Sequence, residues 1–449
     1  MPSLTFYGGI NEIGGNKILL EQQKSRIFLD FGQSFSLLDD YFVPEGFLSP
    51  RERFGLKDYF EFGLMPKLAG LYNKEALTAT DLPHKNEPSF DAVLITHAHN
   101  DHVAHLKYLH PGIPVYMGEA TKKILESTAE TTRQSFWREE SDIRTFRTGQ
   151  KLSIGEFEVE PVHVDHSVPG AYGFIIETKE GSIAYSGDLR AHGHRPDLTE
   201  DFVQRAVASE PKALIMEGTR VALNEMRKNH TEPFVQEESQ KVAHDTKGLV
   251  MAMRYPKDLD RFRTFYSVAK ETGRTHVISL KTAHLLQTLR SDEKLGLPDP
   301  FSDKHIKVYE RKLRNYPAWQ KPLLEKCVDA SFVHEHQKDL IFELDFYYFG
   351  ELVDVQPAGG ACIHSMSEPF EEDPMSQVGD EVLKNWLAHY NLAHHQLHAS
   401  GHASRQEIMQ MIGSVNPRQV FPVHTHAPEL FKEGGKPTAL LKKNEKCAI

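Results

Sequence analysis

The sequence predicts an α/β protein of two domains with a metal centre in the first, and three observations carry that prediction. Short apolar, β-branched runs separated by paired glycines fill the first half. A strand–helix–strand–helix alternation starts at Gly248 and lasts to about Gly360. The run His97-Ala98-His99-Asn100-Asp101-His102 follows directly on an apolar strand.

Taken in order, Leu4 to Tyr7, Lys17 to Glu21 and Arg26 to Asp30 read as short strands broken by Gly8-Gly9 and Gly14-Gly15. Residues 34 to 90 have no clear period and read as a long excursion with short helices. Asp91 to Thr96 is an apolar strand that ends on the histidine run. Pro114 to Met117, Phe157 to Val164, Ala171 to Thr178, Ile183 to Ser186 and Ala213 to Met216 read as further strands.

The organisation changes after Thr219. Leu249 to Arg254 reads as a strand, and Leu259, Phe262, Tyr266 and Ala269 fall at helical spacing. Thr275 to Leu280 reads as a strand and Ala283 to Leu289 as a helix. Such alternation implies a parallel sheet with crossover helices, in a domain of its own. Its last strand is expected near Gly359–His364, after which the tail returns to histidine-rich turns. No internal repeat is visible.

At 449 residues, 39% hydrophobic and 26% charged, the chain has the composition of an ordinary soluble protein with a large core. Its three cysteines, Cys327, Cys362 and Cys447, are far apart and form no CxxC pair. They supply neither a disulfide framework nor a thiolate metal site, which points to a reducing compartment. The opening Met1-Pro2-Ser3-Leu4-Thr5-Phe6-Tyr7 has no basic or apolar leader segment, and no apolar run approaches a membrane span. The expectation is a cytoplasmic enzyme. A net charge of −11 speaks against a broadly basic nucleic-acid binder. It leaves room for a local basic channel, because focusing depends on where charges sit.

In His97-x-His99-x-Asp101-His102, residues 97 and 99 face one side of an extended segment, and the turn brings Asp101 and His102 beside them. Imidazole and carboxylate are the ligands Zn²⁺ favours. Two metals would need further ligands from elsewhere. Val164-Asp165-His166-Ser167, Ser186-Gly187-Asp188 and Phe421-Pro422-Val423-His424 each end a strand and offer them. A lone histidine at a strand end is more often satisfied structure than ligand, so these segments gain weight only together.

The order and spacing of these motifs resemble the metallo-β-lactamase superfamily, and within it the β-CASP branch of nucleic-acid-processing enzymes. Gly8-Gly9-Ile10-Asn11-Glu12-Ile13-Gly14-Gly15-Asn16 looks like the opening of ribonuclease J-type proteins, and His166-Ser167-Val168-Pro169-Gly170-Ala171 like their third motif. Ser186-Gly187-Asp188 matches the fourth. Glu217-Gly218-Thr219, His398-Ala399-Ser400-Gly401-His402 and Pro422-Val423-His424 match the three branch motifs.

The resemblance implies an αββα sandwich built from residues 1–220 and 386–449, with an inserted α/β β-CASP domain over 221–385. It implies that His97, His99 and His166 hold one Zn²⁺, that Asp101, His102 and His424 hold a second, and that Asp188 bridges them, with Mn²⁺ as an exchangeable alternative. Asp101, Glu217 and His402 would be catalytic, with His402 the proton donor and Glu217 holding its ring. His398, Ser400, Gly401 and His402 would cradle a substrate phosphate, although Ser404 and Glu407 also read as a helix capping box beside them.

The implied activity is hydrolysis of RNA phosphodiester bonds, endo- and/or 5′-exonucleolytic, by an activated water at the two zincs. The implied protein is a short form without a further C-terminal domain, with RNA as partner, no membrane, and homodimerisation left open. The alternatives are a hydrolase of the same fold acting on DNA or a small ester, and a non-catalytic RNA-binding subunit. The stretch Lys304 to Lys321, with Lys307, Tyr309, Arg311, Lys312, Arg314, Tyr316 and Trp319, reads as a solvated helical face rather than as a nucleic-acid contact. His192, His194, His394 and His395 read either as cleft lining or as surface.

Overall fold

The computed structural model describes residues 1–43, 48–132, 134–225, 227–368 and 374–449. Three sheets organise it. The first has seven strands, in the order Lys446–Ala448, Ser3–Gly8, Lys17–Gln22, Ser25–Leu29, Ala92–Ile95, Val115–Gly118 and Ile143–Phe146. The second has six, in the order Gln419–Val423, Ala213–Glu217, Gly181–Tyr185, Tyr172–Thr178, Phe157–His163 and Leu152–Ile154.

These two sheets face each other across one apolar layer, in which Leu4, Phe6, Ile18 and Leu94 of the first meet Phe174, Ile176, Ile215 and Phe421 of the second. Each such fully buried side chain contributes roughly 1.5–3 kcal/mol. On the outer side of the first sheet lie helix Glu119–Thr131 and the excursion over 34–90, whose Leu56, Tyr59, Phe60, Leu71 and Tyr72 are buried there. On the outer side of the second lie helices Pro196–Ser209 and Arg405–Val415. The result is an αββα sandwich.

The third sheet is parallel throughout, in the order Ile306–Tyr309, Thr275–Ser279, Leu340–Glu343, Leu249–Met253, Gly360–His364 and Leu392–Gln396. Its strands read as near-continuous apolar runs because both faces are covered, by helices Glu232–Asp245 and Leu259–Thr272 on one side and by the Phe349, Leu352 and Leu387 cluster on the other. A boundary at 385 falls inside helix Pro374–His389, and the edge strand Leu392–Gln396 still belongs to this sheet.

Helix Leu280–Leu289 packs on helix Glu119–Thr131 of the sandwich, where Ser127 meets His284 and Lys123 meets Ser291. On the other side of the junction a buried charge network crosses between the layers. Arg190 donates to Glu232 at 2.9 Å and to Asp260 at 2.6 Å, and Arg261 donates to Glu232 at 3.0 Å.

The stretch Lys304 to Lys321 departs from the helical reading. It is the parallel strand Ile306–Tyr309 followed by an irregular loop. Ile306 and Val308 are β-branched and buried in the ladder, and Pro317 would interrupt a helix here.

Candidate metal centre

Direction explains why the chemistry gathers at one edge. Gly181–Tyr185, Ala213–Glu217 and Gln419–Val423 are mutually parallel neighbours, so Asp188, Glu217 and His424 emerge together at their carboxyl ends. Phe157–His163 runs the same way two strands over and delivers His166. In the facing sheet, Ser25–Leu29 and Ala92–Ile95 are parallel and deliver Asp30 and the histidine run.

Asp30 and His424 both take the left-handed backbone conformation, at φ 57° each, which turns the chain sharply as each side chain enters the site. Gly32 packs so closely under the histidine run that a Cβ there would sit 1.7 Å from the Asp101 carbonyl oxygen.

The ring atoms form two groups. His97 Nε2 lies 3.0 Å from His99 Nδ1, which lies 3.2 Å from His166 Nε2. His424 Nε2 lies 2.8 Å from Asp101 Oδ2, and His102 Nε2 lies 3.2 Å from Asp188 Oδ2. Asp188 Oδ2 stands between the groups, 3.6 Å from His97 Nε2 and 3.7 Å from His424 Nε2. Its other oxygen, Oδ1, is buried without a hydrogen-bond partner among the described residues. Within each group all donor atoms lie within 4.8 Å of one another. Inward imidazole lone pairs, clustered carboxylates and an orphaned carboxylate oxygen fit divalent cations with nitrogen and oxygen ligands.

Outer hydrogen bonds fix which nitrogen faces inward. His166 Nδ1 donates to the Gly401 carbonyl at 2.5 Å, which leaves Nε2 as the lone pair. His102 Nδ1 lies 2.8 Å from Asp30 Oδ2. The Thr219 hydroxyl donates to Glu217 and accepts from His424 Nδ1 at 2.8 Å. Thr96 lies 3.0 Å from His97 Nδ1 and donates to Asp30, and Tyr185 also donates to Asp30 at 2.7 Å.

Asp30, Thr96, Tyr185 and Thr219 are therefore part of the site; Thr219 lies in a branch motif, and the sequence alone singles out none of the other three. The one available signal was the acid at the end of the apolar run Ile27-Phe28-Leu29-Asp30.

Burial holds His97 and His166 well below the usual imidazole range and His99 at about 4, so all three are neutral donors. Burial would lower His424 too, but Asp188 and Asp101 outweigh it and raise this ring to about 9. His102 is raised in the same way, with Asp188 and Asp30 overcoming its burial. The carboxylates of the second group thus favour positive charge beside them.

The remaining predicted residues surround this centre. His402 Nδ1 lies 3.2 Å from Glu217 Oε1, and its ring is only partly buried. Glu217 also accepts from the Thr219 N–H at 2.9 Å and the Leu189 N–H at 3.3 Å. Ser400 Oγ accepts the His402 N–H at 3.1 Å. Three successive carbonyls of this loop turn into the protein: Ala399 to Arg261, Ser400 to Arg190 and His192, and Gly401 to His166. His398 is half-buried and lies against the Ser365 carbonyl, and desolvation lowers its ring to about 3. The capping box of helix Arg405–Val415 is complete, with Ser404 and Glu407 bonded reciprocally.

The four histidines left open between cleft and surface do other work. His192 bonds Glu407 and Ser400, His194 bonds Thr264, His394 faces His364, and His395 lies on the edge strand. The cleft over the centre has a volume of about 590 Å³. Asp101, His166, Asp188 and His424 line its floor, and Tyr255, Lys257 and Lys281 of the third-sheet layer stand on its opposite wall. The ammonium of Lys257 donates to the Ala98 carbonyl at 2.9 Å, and burial lowers it to about 8.

An αββα sandwich with paired His/Asp groups at its strand ends defines a class, and two stretches of the chain match families of that class, so the chain resembles the metal-dependent hydrolases of the metallo-β-lactamase superfamily. Residues 67–252 match the family described as a beta-lactamase superfamily domain, and residues 389–431 match a Zn-dependent metallo-hydrolase RNA specificity domain. Its relatives include ribonuclease J of Sinorhizobium meliloti, 24% identical over 357 residues, covering 76% of this chain and 58% of that one. Ribonuclease J of Mycoplasma pneumoniae is 23% identical, covering 93% of this chain and 67% of that one. Ribonuclease J of Pyrococcus abyssi is 23% identical, covering 95% and 92%. The chain thus spans less than two thirds of the Sinorhizobium relative and nearly all of the Pyrococcus one. A crystal structure of an Enterococcus faecalis V583 protein of unknown function has the same fold, with a TM-score of 0.80 over 100% of both chains at 23% identity.

Proposed function

We propose that the chain is a zinc-dependent ribonuclease that hydrolyses RNA phosphodiester bonds at a two-metal centre. The observation that carries this reading is Asp188, whose Oδ2 stands between the two donor groups while its Oδ1 is buried and unpaired among the described residues. His97, His99 and His166 would hold one Zn²⁺, Asp101, His102 and His424 another, and Asp188 both, with Mn²⁺ able to exchange. When bound, the ions supply Lewis acidity that activates water near neutral pH and offsets charge on the phosphate.

The chain's own groups do the rest. Glu217 holds Nδ1 of His402, so Nε2 is the atom that delivers a proton to the departing 3′ oxygen. Asp30, Thr96 and Thr219 keep the ligand rings aimed, so little reorganisation accompanies reaction. Lys257 and Lys281 on the far wall attract the polyanion, and the inward-turned carbonyls of 399–401 keep their negative ends away from it. The residue spans 1–220 with 386–449 and the insertion between them would act as the two walls of one cleft, the insertion being a β-CASP domain.

The test is product mapping on RNAs that differ only at the 5′ end: monophosphate, triphosphate and hydroxyl. Internal cuts on all three mark an endonuclease, and mononucleotides from the monophosphate alone mark a 5′-exonuclease. Hydrolysis of DNA or carboxylic esters with intact RNA would overturn the reading.

A further inference from the structure

The metal centre makes no use of the basic, aromatic stretch that follows strand Ile306–Tyr309, yet this stretch is not merely surface. Strands Leu249–Met253, Thr275–Ser279, Ile306–Tyr309 and Leu340–Glu343 are parallel, and their carboxyl ends surround a second cavity of about 130 Å³. The crevice at such ends is where open α/β sheets bind ligands. This cavity shares Pro256, Lys281 and Thr282 with the wall of the metal cleft, so the two are contiguous.

Its lining has the chemistry of a base site. The guanidinium of Arg311 lies over the ring of Tyr348, 4.1 Å from the centroid, which gives a flat, delocalised wall. Leu280, Leu313 and Leu344 supply apolar surface. Acceptors stand among its polar groups. Glu343 takes hydrogen bonds from Arg254 at 2.9 Å and from the Thr282 hydroxyl at 2.5 Å, and Gln320 Oε1 is buried with no partner among the described residues. A flat π-surface beside an unfilled acceptor, Gln320 Oε1, suits a planar heterocycle with an N–H donor on its rim. Lys281, on the first turn of helix Leu280–Leu289 at the rim shared with the metal cleft, places a cation where a linking phosphate would pass.

We propose that this cavity binds one nucleobase of the RNA strand whose scissile phosphate lies at the metal centre. The inference rests on the ribonuclease reading for its choice of strand.

The test uses the full chain and short RNAs with a single abasic residue stepped along the strand. Affinity is read by fluorescence anisotropy with a chelator present to stop cleavage. One abasic position should weaken binding by ~5- to 100-fold, the range for loss of one stacked base. Tyr348→Ala should weaken the intact strand by a similar factor and add nothing at that position, while Tyr348→Phe keeps binding. Arg311→Lys, which keeps charge but loses the flat guanidinium, should reproduce most of the loss.

A flat abasic profile, or a Tyr348→Ala effect that adds equally at every position, overturns the proposal. A flat profile with adenosine monophosphate binding that Tyr348→Ala abolishes also overturns it, in favour of a free nucleotide. Position-dependent binding by a wild-type protein that cleaves no RNA without chelator would overturn the ribonuclease reading and support the base site.

Discussion

The Nδ1 of His402 lies 3.2 Å from Glu217 and 3.8 Å from Asp188, so one imidazole stands within reach of a carboxylate that would orient it and of one that would bridge metals. The two roles separate experimentally. If His402 donates a proton, His402→Ala keeps both metals and RNA binding while the rate falls by ~10²–10⁴. Glu217→Gln falls in the same direction by less, and a 3′-thio substrate rescues His402→Ala but not His424→Ala. Zinc loss in His402→Ala would make it a ligand instead. Gly32→Ala should lower metal content with no ligand changed, because its Cβ would displace the turn bearing Asp101; elemental analysis reads this. The histidine cluster was legible because four side chains able to ligate a metal fall within six residues after an apolar strand. Asp30 and Thr96 were not, because a single polar residue at a strand end looks the same whether it closes a turn or holds a ligand ring.

Elements with a strong period were legible and those without were not. Ala92–Ile95 and Ala213–Glu217 are central, buried and apolar, and both showed in the sequence. Leu392–Gln396 carries His394 and His395 on a sheet edge, where half-exposed polar residues erase the strand pattern. Lys446–Ala448 exists only through pairing with Ser3–Thr5 at the other end of the chain, and no local window contains that information.

Charge bonding between elements is testable in the same terms. Glu232→Ala would leave the buried guanidiniums of Arg190 and Arg261 uncompensated and should cost about 3–5 kcal/mol in denaturant unfolding. Glu407 is held at about 2: burial would raise it, but hydrogen bonds from His192 and from the N–H and hydroxyl of Ser404 outweigh that. Its folded pKa lies below the unfolded value of about 4.3. Its contribution is therefore complete above about pH 5 and is lost as pH falls toward 2, and Glu407→Gln should flatten stability against pH across that window.

At the scale of the molecule, a chain of net charge −11 presents Lys257 and Lys281 at its cleft, so attraction is local and salt should erase it. Raising monovalent salt from about 50 to 200 mM should raise KM for RNA on the order of tenfold if about three phosphates are contacted. Joining 1–220 to 386–449 should abolish cleavage, because the deletion removes Lys257, Lys281 and one wall of the cleft. The alternation from Gly248 foretold a separate parallel sheet, but not its seat on helix Glu119–Thr131, which depends on packing between segments far apart in sequence.

The central claim, two divalent cations held by seven side chains with Asp188 between them, has one direct measurement. Metal-replete protein and its Asp188→Ala variant are desalted and analysed for zinc and manganese per chain. The account predicts close to two ions in the parent, and loss of metal together with activity in the variant. One ion or none in the parent, or full occupancy retained in Asp188→Ala, would contradict it.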